Sequence, residues 1–487
     1  MPSLKLHFTD INPHREILPN VMSEIEGRAI REMLSWYSPN GPIRHSAIYN
    51  GGAGISQTVV TNNDYWNIDQ VIRQMASLPS LNLALNFSVL AGGKGFDPSS
   101  SFLSSLGESI ERMAGVFAFF KEDLDICNGS YNSLQQAGRN AIAPEALPLF
   151  ADEQYASADF FFQPFTDDTE FSWIKGRKLI SQEEIWIPVQ LVLFFYIPSI
   201  EEARIGYSSS SGMASHINEA LAIIAGIIEI VERDALMVSW YANIPLRRIE
   251  VDRPLSSKKA NRVLEHIKTL SGDVNFWLHD VGFPELPSIS ATYLAPYYRK
   301  FAYQTGSAAG VDGEEAFYQA LLEYGQSELQ LKSAMLAHQR QSMKAIESVF
   351  DSPPDKPLAE MRTFLEPIGY YGHAEHGGRL KDFFHSDDTV FLSALPDIKF
   401  KHSEERLEYL KEILRRYDID PIVIDCSHSQ MSQVKVVKVF IPELVQHHIS
   451  AYPYLGHPRI YELPMKIGLK DKPLAFKDLR LGPVPFP

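Results

Sequence analysis

The sequence predicts an α/β protein in which a repeated helix/strand unit packs on β-sheet. Three observations carry that expectation. Two segments share one acid–acid–base pattern, Glu108, Glu111, Arg112 and Glu229, Glu232, Arg233, at a constant offset of 121 residues (229 − 108 and 232 − 111). Both segments have the apolar periodicity of an amphipathic helix. Short strand-like runs lie between and beyond them, clearest in "IDPIVIDC" and "VKVVKVFIP" between 418 and 442.

Taken in order, residues 1 to about 45 are weakly patterned, with a helix expected near 20–36 and a loop at "SPNGP". Strand-like runs follow near 46–60 and 80–92, and then "GGKGFDPSS". Asp97 as cap and Pro98 as first residue open a helix over 98–120, because proline lacks an N–H that the first turn cannot use. On a helical wheel Ser104, Glu111 and Arg112 fall within about 60° of Glu108. Phe102, Leu106, Ile110 and Met113 lie opposite. "VQLVLFFYI", 189–197, is too short to span a bilayer and reads as a buried strand. "SSSSG", 208–212, reads as a turn entering the second helix, where Ala222, Ala225 and Gly226 share the face of Glu229 and Glu232. A third helix, "EEAFYQALLEYGQSEL" at 314–329, places Glu323 and Gln326 at the same spacing, after a capping-box-like Asp312 and Glu315. "DSPPDKP", 351–357, is a loop with no change of composition across it.

A chain of 487 residues, 45% hydrophobic and 22% charged, has ample material for a large core. Its net charge of −15 argues against general nucleic-acid binding, which needs basic patches to meet phosphates. Two cysteines, Cys127 and Cys426, build neither a disulfide framework nor a paired-cysteine metal site, and each reads as an inert buried thiol. "MPSLKLHFTDINPHREI" contains no apolar run, so no signal peptide and no membrane segment are expected, and the predicted location is the cytoplasm.

Acid pairs three apart usually mark a solvated helix face. Here the second helix is apolar over most of its circumference, small residues flank the acids, and the pattern recurs. Two carboxylates confined on one face repel, and burial raises their pKa values. A hard cation answers both problems: Mg²⁺ takes oxygen ligands from a few carboxylates, waters and substrate phosphates. An arginine beside the acids suits those phosphates, and so does Lys94, whose flanking glycines permit close approach. The constellation therefore suits a Mg–nucleotide site built from helical side chains. No GxxxxGK[ST], GxSxG or HExxH occurs, and His373 with His376 has no further ligand nearby in sequence.

These residues resemble the YcaO family. Its first motif, GKG with a serine ten after the lysine and then ExxER, is similar to Gly93-Lys94-Gly95, Ser104, Glu108, Glu111 and Arg112. Its second, a Ser-Asn-Gly-like turn and then ExxER, is similar to Ser210-Ser211-Gly212, Glu229, Glu232 and Arg233. The third helix, "ALLE" with Gln326, and the late segments "VFIPEL" and "GHPRIYELP" also fit. The resemblance covers about 46–487, which makes 1–45 an N-terminal extension and implies a YcaO-type ATP-binding fold for the rest. The chain ends "GPVPFP", and Pro483, Pro485 and Pro487 resemble the PxPxP tail of azoline-forming cyclodehydratases, in which the tail reaches toward the nucleotide site and affects catalysis.

The resemblance implies an ATP- and Mg²⁺-dependent enzyme that converts Cys, Ser or Thr of a ribosomally made precursor peptide to thiazoline or oxazoline. By that resemblance Glu108, Glu111, Glu229 and Glu232 hold Mg²⁺ with the triphosphate. Lys94, Arg112 and Arg233 neutralise phosphate charge, and Ser104 and Ser210 contact the nucleotide. The stretch before residue 46 is too short for a fused substrate-capture domain. A separate E1-like or leader-binding partner is thus implied, together with a flavin-dependent azoline dehydrogenase, and a homodimer within the complex is compatible. Ser211 stands where the family has Asn, His216 where it has Gly, and Leu221 where it has Glu, with Glu219 two residues earlier. Thioamide or amidine formation, and a non-catalytic scaffold role, therefore stay open.

Overall fold

The computed structural model describes residues 24–38, 41–50, 59–65, 91–118, 121, 124–194, 196, 198–199, 201–267, 274–294, 302–336, 353–429 and 431–486. Three sheets organise them. The first is antiparallel, β1 (Ile43–Asn50), β2 (Val59–Tyr65) and β3 (Ala91–Gly95). The second has the order β4 (Ile126–Gly129), β5 (Phe171–Lys178), β13 (Ile422–Asp425), β14 (Lys435–Phe440), β7 (Met213–His216), with β6 (Glu184–Pro188) on β5. The third runs β11 (Tyr303–Ala309), β10 (Ser288–Leu294), β9 (Val274–His279), β8 (Arg247–Glu250), β12 (Thr389–Phe391), with β12 parallel to β8.

Each sheet contributes one strand that turns directly into an acid-bearing helix: β3 into α2 (Pro98–Phe117), β7 into α4 (Glu219–Tyr241), and β11 into α6 (Gly313–Leu336). The remaining helices are α1 (Glu24–Ser35), α3 (Val189–Val192), α5 (Lys258–Ile267), α7 (Ser403–Arg416) and α8 (Pro458–Lys466), with several single turns between them. The helix/strand repeat expected from the sequence is thus present, in three copies. The apolar faces of α2, α4 and α6 enter three separate core clusters, through Phe102, Leu106 and Ile110, through Ile227, Val231 and Val238, and through Phe317, Leu321 and Tyr324. Full burial of each such side chain stabilises by about 1.5–3 kcal/mol.

Close strand–helix packing needs a strand residue without a side chain. A Cβ on Gly93 would lie 1.9 Å from the Ser101 carbonyl oxygen, and one on Gly306 would lie 2.0 Å from the Tyr324 amide nitrogen. Caps set where the helices begin. Asp97 accepts from Ser100 N, Asn218 from Leu221 N, and Asp312 from Glu315 N. Helix α1 packs on α2, and its Glu32 accepts from the Ser432 and Gln433 amides.

Three local expectations change. The glycines around Lys94 form strand β3, and the run expected at 80–92 lies outside the described residues up to 90. Residues 189–192 form a helical turn, not a strand. An apolar run this short carries no periodicity to decide between the two, and the turn is fixed by Gln190, which donates to Glu202 and the Ala203 carbonyl. The 208–212 turn enters strand β7 before α4 begins. The C-terminal prolines are not a free stiff end. Pro483, Val484, Pro485 and Phe486 are buried, while Pro487 lies outside the described residues.

Asp234 of α4 is fully buried and meets Arg459 of α8, whose Nε lies 2.9 Å from both carboxylate oxygens. The Val445 amide donates to the same carboxylate, and Arg459 also donates to the Val281 carbonyl and covers the Phe283 ring. Asp234→Asn leaves the arginine buried without its counter-charge and is expected to cost about 3–5 kcal/mol of unfolding free energy. Denaturant midpoints measure it, and a loss under about 1 kcal/mol would contradict the pinning role.

Candidate active site

The three acid-bearing helices share one device. The first glutamate of each motif accepts a backbone N–H from the strand or turn that leads into its own helix. Glu108 Oε2 takes Gly92 N at 3.2 Å, Glu229 Oε2 takes Gly212 N at 3.0 Å, and Glu323 Oε2 takes Ser307 N at 3.1 Å. The separations along the chain are 16, 17 and 16 residues. The sequence repeat is therefore a geometric one, and Glu323 is the third equivalent of Glu108 and Glu229.

Cations are interleaved with these acids. Arg112 Nη2 lies 3.1 Å from Glu108 and its Nη1 3.4 Å from Glu111. Arg233 Nη2 is 4.0 Å from Glu232. Lys94 on β3 pairs with Glu323 on α6, joining the first unit to the third. Ser307 Oγ donates to Glu232 at 2.6 Å while its amide serves Glu323, so one residue of β11 spans the second and third units. Ser215 of β7 donates to the Gly107 carbonyl of α2, tying the second unit to the first.

The closeness of these acids shifts their ionisation. Burial pushes the Glu111 carboxyl well above the ordinary range, with Arg112 opposing and Glu229 and Glu108 adding to the rise. Glu229 is also raised by burial, against the pull of Arg233 and Arg112. Burial resists ionisation of Glu323 too, but Lys94 and Arg233 outweigh it and hold that carboxyl below its usual value.

Of the residues singled out by sequence, Lys94, Glu108, Glu111, Arg112, Glu229, Glu232 and Arg233 converge on this cluster. Ser104 stands exposed one turn before Glu108, and Ser210 lies in the turn whose Gly212 serves Glu229. Glu219 is exposed in the first turn of α4, while Leu221 and His216 are half-buried. Pro483 and Pro485 sit farther along: Tyr371 donates to the Pro483 carbonyl, Tyr303 to that of Pro485, and Trp240 to that of Gly482, each within 3.3 Å. Trp240 is seven residues beyond Arg233 on α4, about 10 Å along the helix. The His373 and His376 rings meet edge-on, and among the described residues they belong to no group of three metal-ligating side chains. Cys426 is buried with its thiol pushed up to about 12 by desolvation, whereas Cys127 is only half-buried.

Lys438 and Ser307 were not anticipated. Lys438 had a legible signal: in "KVVKVF" Lys435 and Lys438 are three apart, so in a strand they point to opposite faces and only one meets solvent. Ser307 sits in a run of small residues that offers no such mark.

The donor set fits a divalent cation with phosphates. Among the described residues no three His, Cys, Asp or Glu side chains cage an ion by themselves. Carboxylates disfavoured as anions and flanked by arginines match a Mg²⁺ that completes its shell with phosphate oxygens and water.

A family model described as YcaO cyclodehydratase, ATP- and Mg²⁺-binding, matches residues 92–445. The chain belongs to the YcaO family. Its YcaO fold is similar to that of a heterocyclase in complex with substrate and cofactor, with a TM-score of 0.72 and 18% identity over 98% of this chain and 60% of that one. YcaO from Methanopyrus kandleri bound with AMPPCP and Mg²⁺ has a TM-score of 0.56 and 17% identity, over 86% of this chain and 88% of that one. The E. coli microcin synthetase McbBCD complex has a TM-score of 0.57 and 15% identity, over 91% and 96% respectively. This YcaO chain thus spans 60% of the length of the first heterocyclase. No curated protein matches its sequence. Among the described residues no helix is long and apolar enough to cross a membrane.

Burial raises the Glu232 carboxyl from 4.5 to about 7, with Arg233 opposing and Glu323 adding. The folded state then binds that proton more tightly than the unfolded chain, so this group opposes folding increasingly as pH rises from 4.5 to about 7. Glu232→Gln is expected to stabilise the ligand-free protein above pH 7 by on the order of 1–3 kcal/mol and to change little near pH 4. Urea unfolding at the two pH values reads this, and a variant less stable than wild type at the higher pH contradicts it.

Proposed function

We propose that this protein is an ATP- and Mg²⁺-dependent cyclodehydratase acting on Cys, Ser or Thr of a ribosomally made precursor peptide. The observation that carries the reading is the convergence of three strand–helix units on one cluster of carboxylates interleaved with Lys94, Arg112 and Arg233. Membership of an ATP- and Mg²⁺-binding family supports it. ATP with Mg²⁺ supplies, when bound, the phosphoryl group that carries the amide oxygen away as phosphate once the peptide side chain has closed on the preceding carbonyl.

The chain's own residues bind and orient. Glu108, Glu111, Glu229 and Glu232 hold the cation, and Glu323 joins them as the third repeat's equivalent. Lys94, Arg112 and Arg233 neutralise charge on the transferring group, the principal task of a protein in phosphoryl transfer. Ser104 and Ser210 contact the nucleotide. In this reading 46–487 is the catalytic domain and 1–45 an extension. The resemblance of Pro483, Pro485 and Pro487 to a PxPxP tail favours the azoline-forming subclass, and the bond from Tyr303 to the Pro485 carbonyl, on the strand that also carries Ser307, supports it. Similarity to a heterocyclase with substrate and to a multi-protein synthetase supports a peptide substrate. The family resemblance further implies a separate E1-like or leader-binding partner and a flavin-dependent dehydrogenase. The location is the cytoplasm.

A scaffold role has one observation in its favour: Leu221 stands at a family glutamate position, and Glu219 points away into solvent. Reconstitution separates the readings. The protein is mixed with ATP, Mg²⁺, a Cys/Ser/Thr-rich peptide encoded beside it, and the neighbouring partner protein. Phosphate release coupled to loss of one water per ring is expected. Sulfide or amine incorporation instead would indicate a thioamide or amidine, and no ATP use at all would indicate a scaffold. Glu108→Gln and Glu111→Gln are each expected to lower ATP turnover at least about 100-fold while the protein still melts cooperatively and no earlier than wild type. Activity surviving both changes contradicts the assignment.

A further inference from the structure

Lys438 is 3% exposed on the interior strand β14, and among the described residues no carboxylate lies at salt-bridge distance from it. A buried ammonium is costly unless its protons are used. Here Nζ donates to the Ser209 and the Ser211 carbonyl oxygens, both at 2.7 Å. The carbonyl between them, that of Ser210, accepts from Met213 N at 2.8 Å, and the Gly212 carbonyl accepts from Val439 N at 2.7 Å. Every carbonyl from 209 to 212 is therefore occupied, two of them by one side chain.

The Ser211 C=O and the Gly212 N–H belong to a single planar peptide group. Lys438 holds its oxygen end, and Glu229 holds its N–H end at 3.0 Å. A cation and an anion thus grip opposite ends of one peptide dipole. Rotation of that peptide would break both bonds together. The turn so fixed carries Ser210, and the carboxylate so fixed belongs to the cluster.

We infer that Lys438 is a positioning residue of the nucleotide site: its ammonium locks the 208–212 turn on β14 and thereby sets where Ser210 and the Glu229 carboxylate stand. This rests on the proposed ATP-dependent reading of the cluster. It also accounts for the placement of a lysine on a strand whose other side chains are apolar on both faces from Val436 to Phe440. Without the ammonium the Ser211–Gly212 peptide is free to turn over, and Glu229 loses its backbone donor.

The test compares Lys438→Met, which keeps the stem and removes the donors, with Lys438→Arg, which keeps charge and donors. Peptide-dependent ATP turnover is measured with ATP and with peptide varied separately, alongside thermal unfolding. Lys438→Met is expected to melt cooperatively and to raise KM for ATP about 10-fold or more while KM for peptide changes under about 2-fold. Lys438→Arg should recover most of the loss. If Lys438→Met fails to fold, Lys438→Gln, which keeps a neutral NH₂ donor group on a shorter stem, is expected to fold and to give an intermediate KM for ATP. A folded Met or Gln variant with the wild-type KM for ATP overturns the inference, as does an equal loss toward ATP and peptide. Wild-type protein that neither binds nor turns over ATP overturns the functional reading and this inference with it.

Discussion

A carboxylate on each of three helices is fastened to the backbone of the strand that leads into that helix, and the site is laid out by those three bonds. Each fastening requires the strand to lie hard against its helix, which is why Gly93 and Gly306 have no room for a side chain. It also requires the glutamate to sit about three turns inside the helix, where its neighbours three and four residues on point the same way. Glu111 and Arg112 follow Glu108, Glu232 and Arg233 follow Glu229, and Gln326 follows Glu323 for that reason. Because the three strands belong to three different sheets, the cluster is also the place where the sheets are joined. Lys94 to Glu323, Ser307 to Glu232 and Ser215 to Gly107 are the joints.

Such a cluster works against the fold that carries it. Burial pushes Glu111, Glu229 and Glu232 toward protonation, neighbouring carboxylates add to it at Glu111 and Glu232, and the arginines offset only part of this. Stability must come from elsewhere. The opposite faces of the same helices supply it through three apolar clusters, and the Asp234–Arg459 pair pins the back of α4 one residue beyond Arg233. The C-terminal prolines belong to this supporting layer as well. Polyproline backbone has no internal hydrogen-bond partners, and Tyr371 and Tyr303 provide them to the Pro483 and Pro485 carbonyls while Phe486 fills the core beside His279 and Phe384.

Helix positions and the acidic motifs were legible in the sequence because helical periodicity and caps are local signals. Asp97, Pro98 and the Glu108–Arg112 spacing needed no tertiary information. Residues 189–192 misled because a short apolar run buried on all sides has no period, and the glycines around Lys94 carry no strand signal although they form a strand under a helix. The bonds that matter most were hidden for another reason. Gly92, Gly212 and Ser307 act through backbone N–H groups, which no residue type announces. Lys438 was visible only once the strand period was applied to "KVVKVF" and asked which lysine faces inward.

The interleaved charges of the three helices form a site for a nucleotide carried by a divalent cation. Calorimetric titration of the wild-type protein with ATP, with Mg²⁺ present and with Mg²⁺ removed by chelation, reads that site. Saturable binding at one site per chain is expected, dependent on the cation and weakening at least about 10-fold when it is removed. Absence of binding, or binding of equal strength without the cation, would contradict it.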